Sequence, residues 1–282
     1  MKKSIFILII IYITSAPLWA QKESDFRVGF TSDGGIVIRG YTGSALQAVI
    51  PDTLQYMPVK EIGRDAFRSG KITSIVIPEG VTHIRDGAFA DCRELSSVTL
   101  PGTLISIGEA AFDNCISLSA VTLPDSLTTI GVLAFRNCAS LSTVKFPGNI
   151  YVIGGGAFQE SGLTSVSWPA GIRNIPPRAF YNCKNLQSAV IPEGVAVIGS
   201  FAFYGCSGLT AIALPGTISR INEGSFNSCS SLTSVTVPAS VRSINFSEQE
   251  PETASDVKSF AGSKMSSASQ RTLQRVGYTG GY

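Results

Sequence analysis

Between Phe89 and Phe112 the chain sets out a pattern of apolar and polar positions that returns through most of its length. Phe89-Ala-Asp-Cys92 is followed by Leu95-Ser-Ser-Val98-Thr-Leu100-Pro101, then Thr103-Leu104-Ile105-Ser106-Ile107-Gly108 and Ala111-Phe112. Asp113-Asn114-Cys115 starts the pattern again. Phenylalanine recurs at 67, 89, 112, 135, 158, 180, 203 and 226, a step of 23 residues with two steps of 22. A fixed period of this size marks a solenoid, in which each unit buries its apolar face only against its neighbours.

Within one period, Leu95, Val98 and Leu100 point inward from a strand that Pro101 ends, because proline has no N–H to give the next layer. Stacked equivalents form a parallel ladder, and Leu104 and Ile107 make a second, shorter extended run. The slot of Gly108 is shared by Gly63, Gly131, Gly154 and Gly199 but also by Arg85, Pro176, Asn222 and Asn245, so it does not require a left-handed residue. Pro177 suits the first position of a helix, and Ala-Phe-x-x-Cys reads as one helical or 3-10 turn with Phe and Cys inward. Ahead of the repeats, Phe26–Phe30 and Ile36–Ile38 flank Asp33-Gly34-Gly35, a β-hairpin placed to cap the first layer over residues 21–44. The pattern fails after Asn245. Residues 246–282 read as a polar linker and a terminal tail or cap, with a short helix from Ser267 to Val276 that sets Leu273 and Val276 on one face.

The pattern Leu-x-x-Val-x-Leu-Pro-x-x-Leu-x-x-Ile-Gly-x-x-Ala-Phe-x-x-Cys resembles the BspA-type leucine-rich repeat, also called the Treponema pallidum class, over about eight units from Ala45 to Asn245. Gly40 to Gly63 is similar to the lead-in usual for that family. The resemblance implies an α/β repeat solenoid, a leucine-rich-repeat right-handed coil with a parallel sheet, and a role in interaction or adhesion.

The ends and the charge narrow the setting. Lys2 and Lys3, an apolar run from Ile5 to Ile13 and the small Ala20 form a secretory signal peptide over residues 1–20, and the run is too short for an ordinary membrane span. If the leader stays on, it is the sole membrane contact. Without residues 1–20 the chain carries 20 basic and 20 acidic side chains, with no basic cluster, which excludes nucleic-acid binding. Charged residues are 15% of the chain, and serine, threonine and asparagine dress the surface instead.

Candidate chemistry is sparse. Cys92, Cys115 and Cys138, and again Cys183, Cys206 and Cys229, hold one slot at one-period spacing, as buried packing thiols rather than bridges or a metal site. His83 is the only histidine and has no carboxylate fixed beside it by the repeat; Gly154-Gly155-Gly156 lacks the lysine of a phosphate loop. No catalytic residue, cofactor or metal is assigned. Phe146 and Trp168 take the inward leucine slot as core.

Two surfaces remain as candidates. One is the outward strand strip of Val76, Thr99, Thr122, Lys145, Ser167, Val190, Ala213 and Thr236, whose composition β-propensity alone also explains. The other is Tyr181 and Tyr204 in equivalent positions of successive layers with Phe201 close by, either a contact patch or cover for the seam between layers. The expectation is an exported, monomeric, non-enzymatic module that binds a protein partner, such as a host matrix or cell-surface component. The alternatives are a periplasmic scaffold and a carbohydrate-binding module.

Overall fold

A computed structural model describes residues 21–246, 260–275 and 278. The expected signal peptide at residues 1–20 and the stretch between Phe246 and Phe260 lie outside these residues, as does Val276. The chain winds as a β-solenoid of stacked layers. One row of strands comprises Gln47–Val49, Ser74–Val76, Ser97–Thr99, Ser165–Ser167, Ser188–Val190, Ala211–Ala213 and Ser234–Thr236, with parallel pairing inside each of its three blocks. A second row comprises Met57–Ile62, His83–Ile84, Ser106–Ile107, Thr129–Ile130, Val152–Ile153, Asn174–Ile175, Val197–Ile198, Arg220–Asn222 and Ser243–Phe246. The Leu-x-x-Val-x-Leu run, expected as the clearest strand, forms the more broken row, and the short Leu-x-x-Ile run carries the longer sheets. The low charge also finds its reason: Thr73, Ser96, Ser119, Thr103, Ser126 and Thr217 each give a hydroxyl to a carbonyl one layer back.

The Ala-Phe-x-x-Cys segment is a chain of overlapping turns. Ala88, Ala90 and Cys92 donate their amides three residues back, as a 3-10 turn would, to the carbonyls of Arg85, Gly87 and Phe89. The amides between them, of Gly87, Phe89 and Asp91, reach forward to Glu109, Ala111 and Asp113 of the next layer. Two residues per unit have positive φ, such as Gly87 and Asp91, Ala110 and Asn114, or Arg178 and Asn182. Left-handed residues cannot continue a helix, so no helix grows here. The slot of Gly108 is indeed not left-handed; the one two residues later is.

The inward phenylalanines stack in a column. Ring centroids from Phe67 to Phe226 lie 5.0 to 6.0 Å apart with planes within 21° of parallel. Each Cys thiol sits beside this column and donates to the carbonyl of the preceding layer's Phe, as Cys138 does to Phe112 at 3.2 Å. All six cysteines are free and buried. Burial pushes their thiols up, those of Cys92 and Cys183 to about 11.

Both ends continue the column with residues outside the regular repeat. At the start, Phe26–Phe30 and Ile36–Tyr41 form an antiparallel hairpin, Ile36–Tyr41 pairs in parallel with Met57–Ile62, and Tyr41 stacks on Phe67 at 5.5 Å. At the other end Phe260 stacks on Phe226 at 5.1 Å, and Tyr278 closes on it edge to face. Phe260-Ala261-Gly262-Ser263 is a further copy of the turn. Ser228 donates to Ala261 as Ser69 does to Ala90, Ser263 donates three residues back to Phe260, and Gly262 has φ of +78°. Ser263 stands in the cysteine slot, as Ser161 does. This copy comes 34 residues after Phe226 instead of 23, which is why the sequence pattern conceals it. The helix Ser267–Arg275 then crosses the end of the first row, where Ser269 accepts the Val235 amide and Leu273 is buried. No helix among the described residues is long and apolar enough to cross a membrane.

The second row breaks between Val152–Ile153 and Asn174–Ile175. In other layers the residue after the inward isoleucine donates to the isoleucine carbonyl one layer back, as Gly154 does to Ile130 and Gly199 to Ile175. Pro176 has no N–H to give Ile153. The other 22-residue unit, from Phe67 to Phe89, carries Arg85 in this slot and pairs without interruption, so the proline rather than the length causes the break. The column is widest here too, at 6.0 Å between Phe158 and Phe180, and buried Trp168 packs edge-on against Phe146 and Phe180.

Candidate functional site

The turn face carries the side chain that follows each column phenylalanine. In successive layers these are Arg68, Ala90, Asp113, Arg136, Gln159, Tyr181, Tyr204 and Asn227. The turns hold each layer's side chain above the last, so this column is charged at its start and aromatic further on.

The aromatic part brings together three of the expected residues. Tyr181 and Tyr204 stack with centroids 4.8 Å apart and planes 6° from parallel. Phe201 meets Tyr204 edge-on at 6.0 Å, and the Arg178 guanidinium lies over the Phe201 ring at 5.9 Å. All three rings are half-buried. Neither tyrosine hydroxyl has a partner among the described residues. The stack hides the mutually facing ring sides and leaves edges and hydroxyls for contact.

Phe201 and Arg178 occupy the first left-handed slot of their turns, with φ of 58° and 57°, where Asp65, Gly87, Ala110, Leu133, Gly156 and Gly224 stand in other layers. A left-handed residue that is not glycine costs on the order of 1 kcal/mol. Phe201 is not part of the buried core, and its ring packs instead against Tyr204 and the Arg178 guanidinium.

Thr99 and Ser167 lie in strands of the first row, apart from the tyrosines, whereas Thr122 and Lys145 fall in the gap between its blocks, where the expected strands do not form. These four side chains are exposed, make no hydrogen bond among the described residues, and line up with exposed Val76 and Val190. The strip is flat and carries one charge.

Two surfaces were not anticipated. Before the tyrosines, the turn face holds a polar trough of about 480 Å³ lined by Arg68, Asp91, Asp113, Asn114, Arg136 and Asn137 among others. Arg136 grips Asp113 with two hydrogen bonds, and Asn137, Asn114 and Asp91 form a ladder of side-chain bonds at 2.7 Å. Its sequence signal is the Asp or Asn two places after Phe, a residue type that tolerates the left-handed region. On the second row, Ile105, Val132, Tyr151 and Val152 are exposed in slots that are mostly polar elsewhere, beside a cleft of about 510 Å³ at Pro176 and Pro177.

Among the described residues no group of three His, Cys, Asp or Glu side chains is placed to hold a metal ion. His83 shares a hydrogen between Nδ1 and the Thr82 hydroxyl at 2.7 Å, and burial, with Arg85 adding to it, pushes its pKa down. Trp168 is core, as expected, though its indole N–H finds no acceptor among the described residues.

The sequence profile of the BspA type leucine rich repeat region matches residues 60–186 and 152–249, in six copies. Among solved structures, the leucine-rich repeat protein TpLRR of T. pallidum is 25% identical, covers 92% of this chain and 97% of its own, and superposes with a TM-score of 0.65. A leucine rich cell surface protein of Faecalibacterium prausnitzii A2-165 is 21% identical over 93% of this chain and 98% of its own, with a TM-score of 0.39. A leucine-rich repeat protein of Bacteroides ovatus ATCC 8483 is 21% identical over 78% and 89%, with a TM-score of 0.38. No curated protein matches the chain.

Proposed function

The chain belongs to the family of BspA-type leucine-rich repeat proteins, and from that premise we propose that it is an exported module that binds another protein, as an adhesin of the cell surface directed at a host matrix or cell-surface protein. The family supports protein interaction as the general role. The observation that carries the choice of site is the cluster of Tyr181, Tyr204 and Phe201, three half-buried rings gathered in adjacent layers with two hydroxyls that have no partner among the described residues. Aromatic side chains with a polar tip are favoured at the centres of protein interfaces.

The stacked tyrosines favour a protein over a glycan. A sugar ring docks on an aromatic face, and the faces that Tyr181 and Tyr204 turn to each other are covered. The exposed strip of Thr99, Thr122, Lys145 and Ser167 is the second candidate contact, a flat surface suited to an extended polypeptide. The leader read at residues 1–20 supports export, and the repeat family supports a binding role.

The test is binding of residues 21–282 to an array of extracellular-matrix proteins and glycans, with Tyr181→Ala/Tyr204→Ala alongside. Saturable binding to one protein, lost in the double variant at an unchanged melting temperature, is the expected result. Loss of stability in that variant would assign the tyrosines to the seam between layers. Complete protection of the protein from protease added to intact cells would refute surface display and leave an envelope scaffold.

A further inference from the structure

Both outer edges of the first row are covered by side chains. At the first row's starting edge, the Gln21 side chain takes the Val49 amide at 3.1 Å and donates to the Gln47 carbonyl at 3.0 Å. At that row's far edge, the Ser269 hydroxyl takes the Val235 amide at 3.0 Å. The second row starts differently, with Phe26–Phe30 as its outermost strand.

Which backbone groups that strand offers follows from the hairpin. Thr31 donates to Gly35, so this pair is hydrogen-bonded, and alternation in an antiparallel ladder makes Gly29 and Val37 the next bonded pair. The amides and carbonyls of Val28 and Phe30 therefore point away from the hairpin, and no group among the described residues bonds to them. Phe30 is also 61% exposed at the end of this edge. An unpaired edge of this kind accepts another strand unless charge or a bulge blocks it; the bulge here lies between Arg27 and Val28, which leaves Val28 to Phe30 as the regular edge.

Within the two strands of the hairpin the charge is of one sign, while Glu23 and Asp25 precede them and Asp33 lies in the turn between. Arg27 lies over Gly40 of the neighbouring strand and Arg39 lies back over Gly29, each guanidinium on ground where a Cβ would collide with it. Both arginines are exposed, and no carboxylate among the described residues forms an ion pair with either. Two cations over the hairpin, that of Arg39 on the open strand and that of Arg27 one strand in, repel a second copy of the same edge and attract an acidic one.

We propose that the edge Phe26–Phe30 is a docking site for an extended acidic polypeptide, which adds a strand to the second-row sheet and sets its carboxylates against Arg27 and Arg39. Main-chain bonds from Val28 and Phe30 supply the attachment, and the arginine pair supplies the choice of partner. The site is independent of the tyrosine cluster, which lies several layers further along.

The experiment uses residues 21–282 and a fluorescent, end-blocked octapeptide of alternating valine and glutamate, read by anisotropy. Saturable binding is expected, weakened at least about tenfold in Arg27→Gln/Arg39→Gln and by raised salt. The same peptide with alternate amides N-methylated, and a valine–lysine octapeptide, are expected to bind at least about tenfold more weakly. Val28→Pro removes an outward amide that the hairpin does not use, and proline is tolerated on a sheet edge, so the variant is expected to fold and to lose binding. Equal binding of the N-methylated peptide, or of heparin to wild type and Val28→Pro alike, would make the surface a general anion site and overturn the proposal. Absence of binding by the valine–glutamate peptide would overturn it as well.

Discussion

Phe135→Ala tests whether the aromatic column is what binds layer to layer. The ring is fully buried between Phe112, 5.3 Å away with planes 5° apart, and Phe158, 5.5 Å away with planes 3° apart. Truncating a buried phenylalanine costs about 3–5 kcal/mol through lost transfer energy and the cavity left behind. The backbone on either side is held by the turn ladder, in which Phe112 donates to Ala134 and Phe135 to Ala157, so the site has little freedom to collapse and the upper part of that range applies. Phe135→Leu separates the terms. It keeps most of the volume but removes two stacked pairs, worth about 0.5–1.5 kcal/mol each beyond area, so a loss of about 1–3 kcal/mol is expected. The assay is urea unfolding at pH 7 of residues 21–282 and both variants, with hydrogen exchange of the flanking layers as the local readout. In a solenoid a hole in the middle weakens two interfaces, so protection should fall in the layers of Phe112 and Phe158 and persist near Phe26. A loss under about 1.5 kcal/mol for Phe135→Ala, or Phe135→Leu as stable as wild type, would refute the argument and reduce the column to filler.

Three further outcomes follow from named groups. The thiols of Cys92 and Cys183 are raised by burial from 9.0 to about 11, so their protonated form favours the fold; stability should be level below pH 9 and fall as pH rises from 9 towards 11, and replacing the six cysteines by serine should remove that fall in a pH series of unfolding midpoints. His83 is shifted the other way, its pKa lowered from 6.5 mainly by burial, so its contribution is present above that value and lost as pH falls below it; the acid limb of the same series should flatten in His83→Gln. Pro176→Gly restores the amide that other layers give to the isoleucine carbonyl one layer back, and hydrogen exchange should find that new amide protected, with Val152–Ile153 and Asn174–Ile175 then paired.

The solenoid was legible because each layer repeats the same packing problem. Leu95, Leu104, Ile107, Phe112 and Cys115 are buried as the period requires, and so are their equivalents. Relative strand strength was not legible: the outward positions of both runs look alike in sequence, whereas which row pairs continuously depends on backbone amides such as the one Pro176 lacks. The turns misled because Ala-Phe-x-x-Cys has helical spacing, and the left-handed residues that forbid a helix are only partly declared by glycine and asparagine; Leu133, Arg178 and Phe201 take the same conformation. At the candidate site, the equivalence of Tyr181 and Tyr204 foretold their stacking, since equal slots in adjacent layers superpose. The Arg27 and Arg39 edge was hidden because its meaning lies in what fails to pair with it, which is a property of three dimensions.

The copy of the turn at Phe260 bears on how such chains grow. Its ring, its left-handed glycine and its forward bond from Ser228 take their places on the Phe226 layer although the chain reaches them eleven residues late. Register between layers is therefore written in the docking surface and not in the length of chain between them. A solenoid so built has slack in its thread: it can accept an excursion between two coils, or be cut there and receive its last coil from solution, while the stack itself keeps count.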